Sequence, residues 1–145
     1  MRCEYGFCKH RLTADLLTVI TECFFRALNR LGAARVIALD ISKAFDEVWH
    51  SGLLHKLQSY GVKGALLDII ASFLSNRKIK VVLDGAASSI YSINSGVPQG
   101  SILGPILFLI FINDLPDSVI NSLAIFADDT SLYSCIPLKL SFKLP

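Results

Sequence analysis

Charge is scarce in this chain. Only 18% of its 145 residues are Asp, Glu, Lys or Arg, whereas 52% are hydrophobic; an ordinary soluble domain carries about 25% charged residues. The net charge is only +2. Duplex-binding proteins are often far more basic, so nucleic-acid binding cannot be read from charge. Long apolar runs are missing as well. The most apolar stretch, Ile102 to Ile112, is interrupted by Gly104 and Pro105, and it falls well short of the about 20 residues a membrane-spanning helix needs. The opening Met1-Arg2-Cys3-Glu4-Tyr5 has no apolar signal region, so an intracellular protein of cytoplasm or nucleus, with no membrane partner, is expected. Cysteine is sparse and scattered: Cys3, Cys8, Cys23 and Cys135. Cys3, Cys8 and His10 lack a fourth metal ligand, and reduced, structural cysteines are expected. No repeat or low-complexity segment is present. High apolar content without a membrane segment implies faces made to be covered, as in the inner piece of something larger.

What is present is an ordered set of helix and strand signals. Thr13 reads as an N-cap, followed by Leu16, Leu17, Ile20, Phe24, Leu28 and Leu31 at helical spacing, with Gly32 as the stop. Arg35 to Ile41 reads as a buried strand ending at Asp40. Ser42 is placed to cap a helical segment carrying Phe45, Val48 and Trp49. Two helices follow, Leu53 to Tyr60 closed by Gly61, and Ala65 to Leu74. Lys78 to Leu83 and Ser89 to Ile93 read as a hairpin with Asp84-Gly85 in its turn. The loop from Ser95 to Ser101 leads into an apolar helix with Pro105 in its first turn. Leu123 to Ala127, Asp128-Asp129 and Leu132-Tyr133 read as a second hairpin with both aspartates at the tip. Helices mixed with mostly antiparallel strands predict an α+β fold, with helices on one face of a sheet.

Three features carry chemistry. Vicinal carboxylates at Asp128 and Asp129 repel unless a cation sits between them; the alternative is a turn-former with solvated side chains. Asp40 ends an apolar strand, where an unpaired charge is costly; the alternative is a helix cap. If the two strands neighbour each other, three carboxylates meet at one sheet edge. Such a set holds two divalent ions about 3.5–4 Å apart for phosphoryl or nucleotidyl transfer. In the loop, Gly96 and Gly100 allow close approach of a ligand to backbone. Pro98 stiffens the loop, and Gln99 offers donors and an acceptor to a base or sugar. An ordinary connecting loop is the alternative there.

Together these features resemble the palm of reverse transcriptases, specifically those of non-long-terminal-repeat (LINE-like) retrotransposons. Asp40-Ile41-Ser42-Lys43-Ala44-Phe45-Asp46 is similar to the family's first motif, Asp-x-x-Lys-Ala-Phe-Asp. Ser95-Gly96-Val97-Pro98-Gln99-Gly100-Ser101, continuing through Leu103-Gly104-Pro105, is similar to its second. Phe126-Ala127-Asp128-Asp129 is similar to its third. Tyr5-Gly6-Phe7 and Thr13 to Leu17 resemble the segment leading from fingers to palm. The likeness covers roughly residues 4 to 135 and implies residues 1–34 as a finger-to-palm segment, 35–135 as palm and 136–145 as a tail.

The resemblance implies roles. Asp40, Asp128 and Asp129 would be the catalytic carboxylates. Asp40 and Asp128 would ligate two Mg2+ ions (Mn2+ being the alternative), with the Ile41 carbonyl on one ion and Asp129 less direct. Phe45 would lie under the incoming sugar as a filter for deoxynucleotides, with a core aromatic as its plainer reading. Gln99 and Gly100 would contact the nucleotide, and Pro98 and Gly100 the template and primer. The partners would be an RNA template, a DNA primer and a deoxynucleoside triphosphate. Departures from the pattern stand at Cys8, where the family usually has Arg, and at Leu12, where it usually has Ser. Basic finger strands are expected before residue 1 and a thumb after Pro145. Two function classes therefore stand: an RNA-directed DNA polymerase domain, and a catalytically inactive remnant or weak nucleic-acid- or protein-binding module. A phosphatase with an aspartate nucleophile usually carries Asp-x-Asp, which Asp40-Ile41-Ser42 lacks.

Overall fold

The computed structural model describes residues 5–29 and 32–136. The chain forms two compact units. One comprises residues up to Ile41 together with those from Asp114 onward; the other is Ser42–Asn113. The fold is α+β with small antiparallel sheets.

The first unit is a helix on a three-stranded sheet. Helix α1 (Thr13–Asn29) starts at Thr13 itself, and the Asp15 carboxylate accepts a bond from Leu12 N–H at 2.7 Å. Its end is closed by Gly32 N–H donating to the Ala27 carbonyl at 2.8 Å; Leu31, read as part of the helix, lies outside the described residues. Strand β1 (Ala33–Asp40) pairs antiparallel with the last strand, which in turn pairs with the strand before it. The buried stripe of α1 differs from the sequence reading. Cys23 and Ala27 are buried with Leu16 and Ile20 partly so, whereas Leu17, Phe24 and Leu28 are exposed. Small residues let the helix come close to the sheet, and the larger apolar side chains are left outside. The close approach also overturns the expectation of reduced cysteines. Cys23 and Cys135 are disulfide-paired, with Cα atoms 6.3 Å apart, inside the usual span of a disulfide. Cys8 is free, and Cys3 lies outside the described residues.

The second unit holds α2 (His50–Ser59), α3 (Ala65–Leu74), four short strands and α4 (Leu103–Ile112). Val48, Leu53, Leu57, Leu74, Val97, Leu107 and Phe108 are its most buried side chains. The strands correct the reading of a single hairpin. β2 (Arg77–Ile79) pairs with β5 (Tyr91–Ile93), and β3 (Val82–Leu83) pairs separately with β4 (Ala86–Ala87). Asp84 and Gly85 both have positive φ, +49° and +80°, as a type I′ hairpin turn requires. The helix expected after Ser42 is also absent. Lys43 has φ +52°, and both Asp46 N–H and Glu47 N–H turn back to its carbonyl. A left-handed residue breaks helical propagation, so residues 42–46 form turns and α2 begins only at His50. Among the described residues, no helix is long and apolar enough to cross a membrane.

Candidate active site

In the first unit, β6 (Ser122–Phe126) and β7 (Asp129–Ile136) are joined by the two-residue turn Ala127-Asp128. Ala127 has φ +58°, the positive φ that tight hairpin turns demand at their first central residue. Asp128 therefore sits at the tip, and Asp129 opens β7 rather than sharing the tip. In the register of β1 with β7, Asp40 is the direct cross-strand partner of Asp129. Such partners lie about 4.5–5.5 Å apart at Cα. The backbone thus brings Asp40, Asp128 and Asp129 to one end of one sheet, with Ile41 next in line.

Among the described residues, no basic side chain pairs with these carboxylates, and the ion pair present is Glu22–Arg26 on α1, at 2.7 Å. Asp40 and Asp129 are exposed and Asp128 half-buried. Their donor chemistry, hard carboxylate oxygen, suits magnesium. Among the described residues, however, no group of three or more His, Cys, Asp or Glu side chains is gathered closely enough to hold a metal ion. The backbone placement is made, and the side chains are not drawn in.

The N-terminal segment supports this hairpin. Tyr5 N–H donates to the Ile125 carbonyl at 2.7 Å. A Cβ on Gly6 would stand 2.2 Å from Ala127 N, so only glycine lets the segment pass the turn. The Arg11 guanidinium covers the Tyr5 ring at 4.6 Å.

In the second unit the loop from Ser95 to Ser101 is strapped to the turn that follows Lys43. Ser95 Oγ donates to the Asp46 carbonyl at 2.8 Å, and Gly96 N–H to the Val48 carbonyl at 2.8 Å. Val97 N–H donates to the Phe45 carbonyl at 2.7 Å. The Gln99 amide donates to Asp46 Oδ1 at 3.2 Å. From the other side, the Arg77 guanidinium holds the Ser95 carbonyl at 2.8 Å and also the Gly96 carbonyl, which His50 Nε2 meets at 2.8 Å. Ser101 Oγ accepts from Gly104 N–H at 2.9 Å, tying the loop to the first turn of α4.

This strapping brings Phe45, Pro98, Gln99 and Gly100 together, with Pro105, around a cavity of about 280 Å3. Phe45 is half-buried and stacks on Phe108, with ring centroids 4.5 Å apart and planes at 23°. It is at once a packed aromatic and a cavity wall. The second motif also acquires a physical reason. Gly96 has φ +79°, and a Cβ there would lie 2.6 Å from the Asp46 backbone. Gly96→Ala is therefore expected to cost roughly 2–4 kcal/mol, from the left-handed backbone and the clash together. Gly100 shares a positive φ but faces open space, so Gly100→Ala should cost only about 1–2 kcal/mol. Urea unfolding of the two variants checks the order; equal losses would contradict it.

Sequence reasoning missed Arg77, His50, Asp46 and Gly6. Arg77 and His50 carry no local signal, because their partners are backbone carbonyls distant in the chain. Asp46 lies within the first motif, where no local pattern marks it as the anchor for Ser95 and Gln99.

Comparison with known proteins shows the family. The family model described as "Reverse transcriptase (RNA-dependent DNA polymerase)" matches residues 4–141. The chain is 41% identical over 114 residues to the "RNA-directed DNA polymerase from mobile element jockey" of Drosophila funebris, covering 79% of this chain and 12% of that protein. It is 36% identical over 137 residues to the protein of the same name from Drosophila melanogaster, covering 89% of this chain and 15% of that one. It is 35% identical over 80 residues to the "Retrovirus-related Pol polyprotein from type-1 retrotransposable element R2" of Popillia japonica, covering 55% and 13% respectively. The chain thus spans between 12% and 15% of the length of these curated relatives.

Proposed function

From the premise that this chain belongs to the reverse transcriptase (RNA-dependent DNA polymerase) family, as part of a non-long-terminal-repeat polymerase domain, we propose that it supplies the palm of a longer enzyme. That enzyme adds deoxynucleotides to a DNA primer on an RNA template. Sheet β1-β7-β6 is the palm sheet in this reading, and fingers and thumb are contributed by other parts of the longer protein. The observation that carries the proposal is the pairing of Asp40 with Asp129 beside Asp128, three carboxylates at one sheet end with no basic partner among the described residues.

Asp40 and Asp128 would hold two Mg2+ ions with the Ile41 carbonyl, and Asp129 would lend negative charge nearby. Bound there, the metal pair supplies charge neutralisation on the transferring phosphoryl group and lowers the pKa of the attacking hydroxyl. Phe45 walls the cavity against the sugar. Gln99 and Gly100 face the nucleotide, and Pro98 and Gly100 the template and primer.

Mn2+ binding to the purified chain, followed by water-proton relaxation, tests the proposal. Groups that merely orient a metal ligand are worth about 10–100-fold in affinity, so Asp128→Asn should weaken binding at least about tenfold. Unchanged binding would remove the metal assignment.

A second reading, a weak binding module without catalysis of its own, is favoured by carboxylates that are not gathered into a ligand group. It is favoured also by exposed large apolar side chains such as Phe25, Leu28, Ile37 and Trp49. Phosphoryl transfer needs positioning as well as electrostatic stabilisation. The 145 residues by themselves are accordingly expected to be poorly soluble, to bind magnesium weakly and to extend a primed RNA template negligibly.

A further inference from the structure

Between α1 and the sheet lies a cavity of about 380 Å3, lined by Leu16, Leu17, Ile20, Ala38, Phe126 and Asp129 among others. It differs from the Phe45 cavity in chemistry. Leu16, Leu17 and Ile20 line it from α1, and Phe126 from the sheet. A single carboxylate stands among them.

The register puts that carboxylate on the cavity side. Side chains alternate between faces along a strand, so Asp129, Ser131 and Cys135 of β7 share one face. The Cys23–Cys135 pairing shows this to be the face that carries α1. Phe126 and Ala38 are the cross-strand partners of Asp129 and Ser131, and so belong to the same face. Among the described residues, no basic side chain pairs with Asp129. A largely apolar cavity of a few hundred Å3 with a few polar groups, here Asp129 beside Thr13, Thr130 and Ser131, is the usual form of a small-molecule site. Of these groups, Asp129 is the anion.

We propose that this cavity binds a small organic cation, an amidinium or ammonium on a compact apolar body. The body would displace water from Leu16, Leu17, Ile20 and Phe126, and the cationic head would pair with the Asp129 carboxylate. A planar amidinium suits a carboxylate best, because two parallel N–H donors can meet its two oxygens. The inference does not rest on the polymerase reading, since it needs only the cavity and the free charge.

Benzamidine and benzamide, of nearly equal shape and different charge, are the probes. Their dissociation constants with the purified chain are measured from NMR chemical-shift changes. Benzamidine should bind roughly fivefold tighter than benzamide, the factor an exposed ion pair commonly supplies. Asp129→Asn should abolish that preference. Ile20→Trp, which fills the chamber and leaves the charge intact, should weaken both probes. Equal binding of the two probes, a preference surviving Asp129→Asn, or no binding of benzamidine would each overturn the proposal.

Discussion

Replacing the matched segment of the Drosophila melanogaster jockey polymerase with residues 4–141 of this chain should yield an enzyme that Asp128→Ala silences, with primer extension falling about 10³-fold or more. Three carboxylates at one end of sheet β1-β7-β6 have no basic neighbour among the described residues. Their charge is therefore uncompensated until cations arrive. Removing Asp128 takes away a ligand to both proposed ions, so the loss falls on kcat rather than on nucleotide KM alone. Asp40→Ala should behave alike, because Asp40 approaches from the neighbouring strand. The double variant should be little worse than either single, since groups that act as a unit are not additive. Asp129→Ala should lose less, its role being indirect. The loss is read in single-nucleotide extension of a primed RNA. Near-normal extension by Asp128→Ala would end the assignment. A chimaera inactive even with all three aspartates would point to the reading without catalysis.

Much of this was legible in the sequence, for identifiable reasons. Ala65–Leu74 was readable to the residue because strong helix formers fill it, and Gly61 and Gly64 bracket its approach. The Asp128 hairpin was legible because a continuous apolar run, Leu123 to Ala127, stops abruptly at two carboxylates. Three other features were not. The turn after Ser42 depends on Lys43 taking a positive φ, which no lysine advertises. The stripe of α1 was misplaced because the apolar face is wide: Leu16, Ile20, Cys23 and Ala27 lie on its buried side, and Leu17, Phe24 and Leu28 on its exposed side. The Cys23–Cys135 pair joins a helix to the last described strand. Two isolated cysteines so far apart in the chain give no pairing signal. Of the site, the three motifs marked where chemistry should lie. The straps of Asp46, Arg77 and His50 that hold the loop in place were visible only in three dimensions.

In the same chimaera, Phe45→Val is expected to raise the ratio of ribonucleotide to deoxynucleotide kcat/KM by about tenfold or more. Phe108 backs the Phe45 ring at 4.5 Å, and the Phe45 carbonyl anchors Val97 N–H at 2.7 Å. The ring is thus held from behind and at its own backbone, and it cannot swing aside for an extra hydroxyl. Valine removes the outer part of that wall while keeping a branched, apolar residue at the position. Loss of packing against Phe108 should also cost about 1–3 kcal/mol of stability, less than full truncation of a buried Phe. A stability loss lowers both rates together, because both nucleotides meet the same folded fraction. The ratio therefore isolates the filter from the fold. Phe108→Leu separates the two further: it leaves Phe45 in place but unbacked, so the ratio should rise by less than in Phe45→Val even where stability falls more. An unchanged ratio in Phe45→Val would make Phe45 a packing residue only, and the sugar filter would have to lie elsewhere on the cavity wall.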